Sequence, residues 1–234
     1  MQVDLIAHTV LAEDYETDGK VIDQTPYNRH SPPCETDADE LVEFAGRSCY
    51  TSWKRPNPAT ATNEGYIANI LKQGHFSVLE HASATFYVQG VSRALTHELI
   101  RHRHLSYSQL SQRFVNEDRE DDLVLPPAAE GDEEAMEVHW AAHEMAHSYY
   151  RSLVTIYTSR GLPRKQAREA ARAVLPNQQE TKIVCTGNLR AWRDVIAKRN
   201  DPAADAEIQE FARQVLGHLK TIAPNSFQDF GETD

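Results

Sequence analysis

The sequence predicts an α+β fold, a helix-rich single domain around a small, mostly antiparallel sheet. Two observations point there. Apolar residues recur at three-to-four spacing over most of the chain, and the short alternating stretches near 3–10, 83–89, 112–117 and 181–186 are not joined by repeated strand-helix-strand units. The third observation is size: 234 residues without an internal repeat lie within reach of one continuous core. The expected domain therefore spans 1–234, with 13–37 as a loop and 231–234 as a tail.

The elements follow in order. Residues 13–37 carry Pro26, Pro32 and Pro33 among acidic and hydroxyl side chains with little periodicity, which predicts the loop. Thr36 is a capping residue ahead of Leu41, Phe44, Ala45 and Cys49, one apolar helical face, and Trp53 to Pro58 ends that helix. A second helix runs from about Thr62 through Tyr66, Ile67, Ile70 and Leu71 to Gly74, whose missing Cβ suits a left-handed closing position. Ala84, Phe86 and Val88 alternate with polar neighbours as a half-buried strand, and Val91, Leu95 and Leu99 predict a helix over 91–103.

Further on, Val138, Ala142, Met145, Tyr149, Leu153 and Ile156 form a stripe that predicts a long amphipathic helix over 137–157 with that stripe as its core face. Pro163 opens the next helix, which stops before Pro176. Leu189, Trp192 and Ile196 follow Asn188 as another helix, and Ile208, Phe211, Val215, Leu219 and Ile222 make the last before Pro224.

Composition excludes several classes. Hydrophobic residues make up 40% and charged ones 25%, and no apolar run reaches the roughly 18 residues of a membrane span. A net charge of −11 repels polyphosphate over most of the surface, so no nucleic-acid partner is expected. The N-terminus lacks a basic start and apolar middle, and Cys34, Cys49 and Cys185 are an odd, dispersed set without a Cys-x-x-Cys pair. A cytoplasmic protein with buried thiols is expected.

The densest polar stretch runs from Arg101 to Arg113, in which only Leu105 and Leu110 lack a side-chain hydrogen-bonding group. Three guanidinium groups with hydroxyls and amides suit phosphates and a polar ring. Glu98 and Arg101 share a helical face, either as a surface ion pair or as acceptor and donor for a ligand. Arg164, Arg168 and Arg172 are spaced by four as a ridge pointing away from Ala167, Ala171 and Val174, either a solvated face or an anion site, with Arg172 the best placed for recognition.

Histidines raise a rival. His102 and His104 are flanked by permanent cations, which disfavours a divalent ion. His143-Glu144-Met145-Ala146-His147 matches the H-E-x-x-H pattern of a zinc metallohydrolase. No third histidine follows at the spacing that would extend it, so no metal ligand is assigned and the hydrolase stands as the alternative function.

Arg101-His102-Arg103, seven residues and then Ser111 resembles the signature of the flavin-dependent thymidylate synthases. The likeness extends through Gly74 to His81, Ala171 to Pro176 and Thr186 to Trp192, and covers nearly all of 38–230. It implies that family's fold and its reaction: reductive methylation of dUMP to dTMP, with 5,10-methylenetetrahydrofolate as carbon donor and NADPH-reduced FAD as hydride source. By resemblance, Ser77, Arg101, His102, Arg103, Gln109, Asn188, Arg190 and Asp194 contact FAD. Glu98, Arg101, Gln109, Leu110, Ser111, Gln112, Arg113 and Arg172 bind the nucleotide, and His75 lies near the folate and flavin rings. Arg199 polarises the uracil ring and Ser111 positions the nucleotide. A homotetramer with shared sites is implied. Phe114 stands where the family often has tyrosine, and Asp194 where it usually has an amide or imidazole.

Overall fold

A computed structural model describes residues 1–12, 36–52, 57–119 and 122–231. The expected 13–37 loop falls almost wholly outside these residues, except that Asp37 already opens a helix; most of the expected 231–234 tail lies outside as well.

Four strands, β1 (Gln2–His8), β2 (Ser83–Ser92), β3 (Ser106–Gln109) and β4 (Glu180–Asn188), form one antiparallel sheet in the order β1-β2-β4-β3. Among the described residues seven α-helices accompany them: α1 (Asp37–Tyr50), α2 (Asn63–Gln73), α3 (Arg93–Leu99), α4 (Glu133–Ser159), α5 (Arg164–Ala171), α6 (Leu189–Arg199) and α7 (Ala206–Ile222). This is the α+β arrangement the periodicities predict.

Alternation along β2 and β4 sends Ala84, Phe86, Val88, Ile183 and Cys185 to one sheet face. There they meet Trp192, Val195 and Ile196 of α6 and Phe211, Val215 and Leu219 of α7, all fully buried. Each such side chain contributes roughly 1.5–3 kcal/mol by leaving water. The Trp192 indole also donates to the Ala84 carbonyl (3.1 Å) and meets the Phe86 ring edge-on, which pins α6 to the sheet.

Local chemistry sets the helix ends. Thr62 accepts from the Gly65 amide, and Gly74 closes α2 at φ 70° as expected. Ser92 accepts from the Leu95 amide and Asn188 from the Ala191 amide, so α3 and α6 start directly off the central strands. Those two caps fix the angles at which α3 and α6 leave the sheet.

Five expectations are corrected. The strand predicted over 112–117 lies at Ser106–Gln109, where the inward side chains are Tyr107 and Gln109 rather than aliphatics. The Tyr107 hydroxyl donates to the Leu99 and His102 carbonyls (2.7 and 2.9 Å), and Gln109 donates to Thr96 and Thr181 (3.0 and 3.3 Å), so polar groups do the work of an apolar stripe. The helix predicted over 91–103 is α3 alone. β2 persists to Ser92, whose amide and hydroxyl bind the Glu207 carboxylate, and residues 100–105 turn sharply.

The stripe expected to be the core face of α4 faces outward: Val138, Met145, Tyr149 and Ile156 are exposed, whereas His143, His147 and Tyr150 are buried. In this chain α4 packs through its polar ridge. Arg168 is likewise not on a solvated ridge; it is buried beside Ala167 and Ala171 and donates to the Phe114 carbonyl at 2.7 Å. Cys49 is exposed, contrary to expectation, while Cys185 is buried and its thiol is pushed up to about 12 by desolvation. A group so held is a thiol at neutral pH and a poor nucleophile.

Candidate active site

The turn after α3 is where the Arg-His-Arg segment leaves regular structure, and α6 runs alongside it. On α6, Trp192, Val195 and Ile196 fill the core, so the other face presents Arg190, Asp194 and Lys198, four residues apart, with Arg199 next. His102 is buried between the two elements at 7% exposure.

Three contacts organise this junction. Arg199 donates from Nε to His102 Nε2 (2.8 Å) and from Nη1 to Glu98. His102 Nδ1 lies 3.3 Å from Asp194, and Lys198 reaches the other Asp194 oxygen at 2.6 Å. Burial, reinforced by the neighbouring Arg199 charge, lowers the pKa of His102. Burial alone would raise Asp194, but hydrogen bonds from Lys198 and His102 outweigh it and hold the carboxyl below its usual range. Asp194 is therefore a carboxylate beside a neutral imidazole.

Three clefts adjoin here and share walls. One of about 380 Å³ is lined by Glu80, His104, Asn188, Arg190, Ala191 and Asp194. A second, about 360 Å³, is lined by Arg101, His102, Arg103, His104, Asp194, Lys198 and Arg199. The third, about 340 Å³, includes Tyr66, Gly74, His75, Phe76, Ser77 and Arg190. Arg190 joins the third to the first; His104 and Asp194 join the first to the second. Together they form an extended polar trough along α6.

Arg101 and Arg103 are exposed in that trough, and no carboxylate pairs with either among the described residues. Arg190 pairs with Glu80 at 2.5 Å, an exposed pair that a stronger anion could displace. The residues thus suit a long ligand carrying phosphates: unpaired guanidiniums at one end and half-open clefts on either side. This is the fit a flavin dinucleotide requires.

The structure gathers Ser77, His75, Glu98, Arg101, His102, Arg103, Asn188, Arg190, Asp194 and Arg199 along or beside the trough. His102 faces Asp194 and Arg199 rather than solvent. Asn188 uses its side-chain oxygen to cap α6, which leaves its amide nitrogen for a ligand. Gln109, Leu110, Ser111, Gln112, Arg113 and Arg172 line none of these three clefts. Gln109 is tied to Thr96 and Thr181, Gln112 is buried, and Arg113 sits 3.8 Å from Glu169 in an exposed pair. Arg172 occupies a single 3-10 turn after α5. Arg93 is held below its usual range by burial first and then by the like charge of Arg172.

Sequence reasoning did not find Lys198, Tyr107, Thr96 or Thr181. The four-residue spacing of Asp194 and Lys198 was a usable signal for the first. Tyr107 and Thr96 act across the irregular turn after α3 and Thr181 from a distant strand, none of which a helical or strand spacing reveals.

Residues 34–225 match the thymidylate synthase complementing protein family. The chain is 54% identical to the flavin-dependent thymidylate synthase of Mycolicibacterium vanbaalenii over 208 residues, 85% of this chain and 83% of that one. It is 55% identical over 205 residues to the enzyme of the same name from Mycobacteroides abscessus, covering 83% of this chain and 82% of that one. It is 52% identical over 211 residues to that from Mycobacterium tuberculosis, covering 86% and 84%. The metallohydrolase alternative falls with this match, and Glu144 gives a physical reason. It is exposed on the face of α4 away from the buried His143 and His147, so it serves no shared cavity as a general base. Sequence signature, polar trough and relatives agree that this chain belongs to the flavin-dependent thymidylate synthase family.

Proposed function

We propose that the protein methylates dUMP to dTMP in the cytoplasm as a single catalytic domain spanning 1–234, and that the trough along α6 holds FAD. When bound, FAD reduced by NADPH supplies a hydride, and 5,10-methylenetetrahydrofolate supplies the carbon. The observation that carries this reading is Arg199, a guanidinium fixed on two sides by Glu98 and His102 at the edge of a cleft with unpaired Arg101 and Arg103.

Arg199 spends Nε and Nη1 on the protein, and among the described residues Nη2 has no partner. A planar cation fixed in this way stabilises negative charge developing on a uracil ring without reorganising when that charge appears. Arg101, Arg103 and Arg190 hold the dinucleotide phosphates, with Ser77 and Asn188 as polar contacts, and His75 borders the stacked rings. Asp194 acts through His102 as a positioning residue.

Glu98, Leu110, Ser111, Gln112, Arg113 and Arg172 receive the nucleotide. Arg172 lies near enough to Arg93 for its like charge to act, after burial and against the opposing charge of Glu117, so this end of the chain's basic set is positive enough to favour a phosphate. Since all of these but Glu98 lie off the trough within one chain, neighbouring subunits of a homotetramer complete each site. Val138, Met145, Tyr149 and Ile156, exposed along one face of α4, support that assembly.

Release of tritium from C5-labelled dUMP by the purified protein tests the proposal. Release that requires FAD, NADPH and methylenetetrahydrofolate together supports it; a yellow protein that turns over no label refutes it.

A further inference from the structure

His143 and His147 are one turn apart on α4, and their rings lie 4.2 Å apart, centroid to centroid. Both are 2% exposed. Their Nε2 atoms converge on one carboxylate: His143 is 2.7 Å from Asp122 Oδ1 and His147 is 3.6 Å from Asp122 Oδ2. The His147 Nε2 atom is also 2.8 Å from the Gln179 side-chain carbonyl. We propose that Asp122, His143 and His147, with the Gln179 carbonyl as a fourth ligand, form a structural site for a dication of the zinc class, distinct from the thymidylate site.

The donor set is right for such an ion. Two imidazoles and one carboxylate are common zinc ligands, and the ligating atoms of Asp122, His143 and His147 all lie within 4.8 Å of one another. Bonds of about 2.0–2.1 Å in a tetrahedron place ligands roughly 3.4 Å apart, so small side-chain shifts complete the geometry. The histidines turn their Nε2 atoms inward together because four residues bring them onto one helical face.

Charge supplies a second, independent observation. Glu117 is 1% exposed, one of its oxygens is buried without a partner, and the other accepts from Gln179 Nε2, which also donates to Asp122. Arg119 is the guanidinium in direct contact with this group, and it is shared between Glu117 (3.5 Å) and Glu180 (3.0 Å). Asp122, Glu117 and Glu180 thus bring three carboxylates into a desolvated place beside Arg119, with Arg93 close enough to Glu117 for its charge to act, and a bound dication would add to that compensation. The site is closed and lacks Glu144, so its role is to clamp α4 to the segments leading into β4 rather than to hydrolyse. The isolated motif assigns no metal ligand by itself; what the proposal adds is Asp122, which the fold brings to the two histidines.

Cobalt(II) is the probe, added to the full chain after dialysis against a chelator. The expected result is one cobalt per chain with ligand-field absorbance on the red side of any flavin band, displaced by zinc, and a melting temperature that rises with zinc concentration. His147→Gln preserves volume and a hydrogen bond, so it should fold and take up FAD normally while cobalt affinity falls more than about 100-fold. Asp122→Asn provides the same test should the first variant fail to fold. Wild-type protein without the cobalt band and without a zinc-dependent melting shift would overturn the proposal. So would a band that persists in both variants.

Discussion

Arg199 donates its Nε hydrogen to Nε2 of His102 across 2.8 Å, which makes that ring nitrogen an acceptor and leaves the ring hydrogen on Nδ1, facing Asp194. The relationship fixes the tautomer of His102 without reference to any ligand. It also ties the last residue of α6 to the turn after α3, and so sets where the guanidinium stands.

Removing that guanidinium tests its role in the reaction. Arg199→Ala should lower kcat by about 10²–10³-fold, the usual cost of losing one fixed charge-stabilising donor, while FAD content and the KM for dUMP change little. Arg199→Lys should not restore the rate, because a single ammonium does not span Glu98 and His102 together. Steady-state kinetics beside flavin absorbance decide this, and an unchanged kcat in the alanine variant contradicts the role.

Asp194 should show itself in the pH profile. Protonated His102 no longer accepts from Arg199, so activity falls on the acid side as the imidazole titrates. Burial lowers the His102 pKa and Asp194 partly raises it again. Asp194→Asn removes the raising contribution, so the acid limb of kcat should move to lower pH, with kcat reduced by roughly 10-fold from looser positioning. A limb that stays in place shows that Asp194 does not act through His102.

Asp39 controls stability away from the site. Its carboxylate is fully buried and accepts from the Ser226 hydroxyl and from the Asn225 and Ser226 amides, yet desolvation still raises it from 3.8 to about 6. The folded state therefore holds a proton that the unfolded state releases, so this contribution is fully present below about pH 4 and is lost as pH rises towards 6. The loss amounts to about 2–3 kcal/mol. Denaturant unfolding of wild type and Asp39→Asn between those limits should give curves whose difference changes by that amount. Parallel curves contradict it.

The outward stripe of α4 makes a prediction about assembly. Tyr149→Glu and Met145→Glu place charge on a surface that is apolar and exposed within one chain. Sedimentation should show smaller particles than wild type, with dTMP formation lost in parallel because sites are shared between subunits. Unchanged mass and activity contradict this.

Much of the fold was legible because periodicity reports burial directly. Phe86 and Val88 announced the central strand, and Trp192, Ile196 and Phe211 the helices that cover it. β3 was misplaced because its inward residues, Tyr107 and Gln109, are held by hydrogen bonds instead of apolar packing. The α4 face was inverted because a stripe of Val138, Met145 and Tyr149 reports what avoids water, not whether the covering surface belongs to the same chain. At the site, the signature singled out Arg101, His102 and Arg103, which line one cleft, but the pairing of His102 with Arg199 joins residues 97 apart in sequence and required the fold.

The most direct test of the central claim is FAD binding to the trough along α6. Wild-type protein freed of flavin should bind one FAD per chain on titration, followed by quenching of flavin fluorescence, and Arg101→Ala with Arg190→Ala should weaken that binding by at least about 10-fold while the fold survives by circular dichroism. Equal affinity in wild type and the double variant would place the flavin elsewhere and contradict the account.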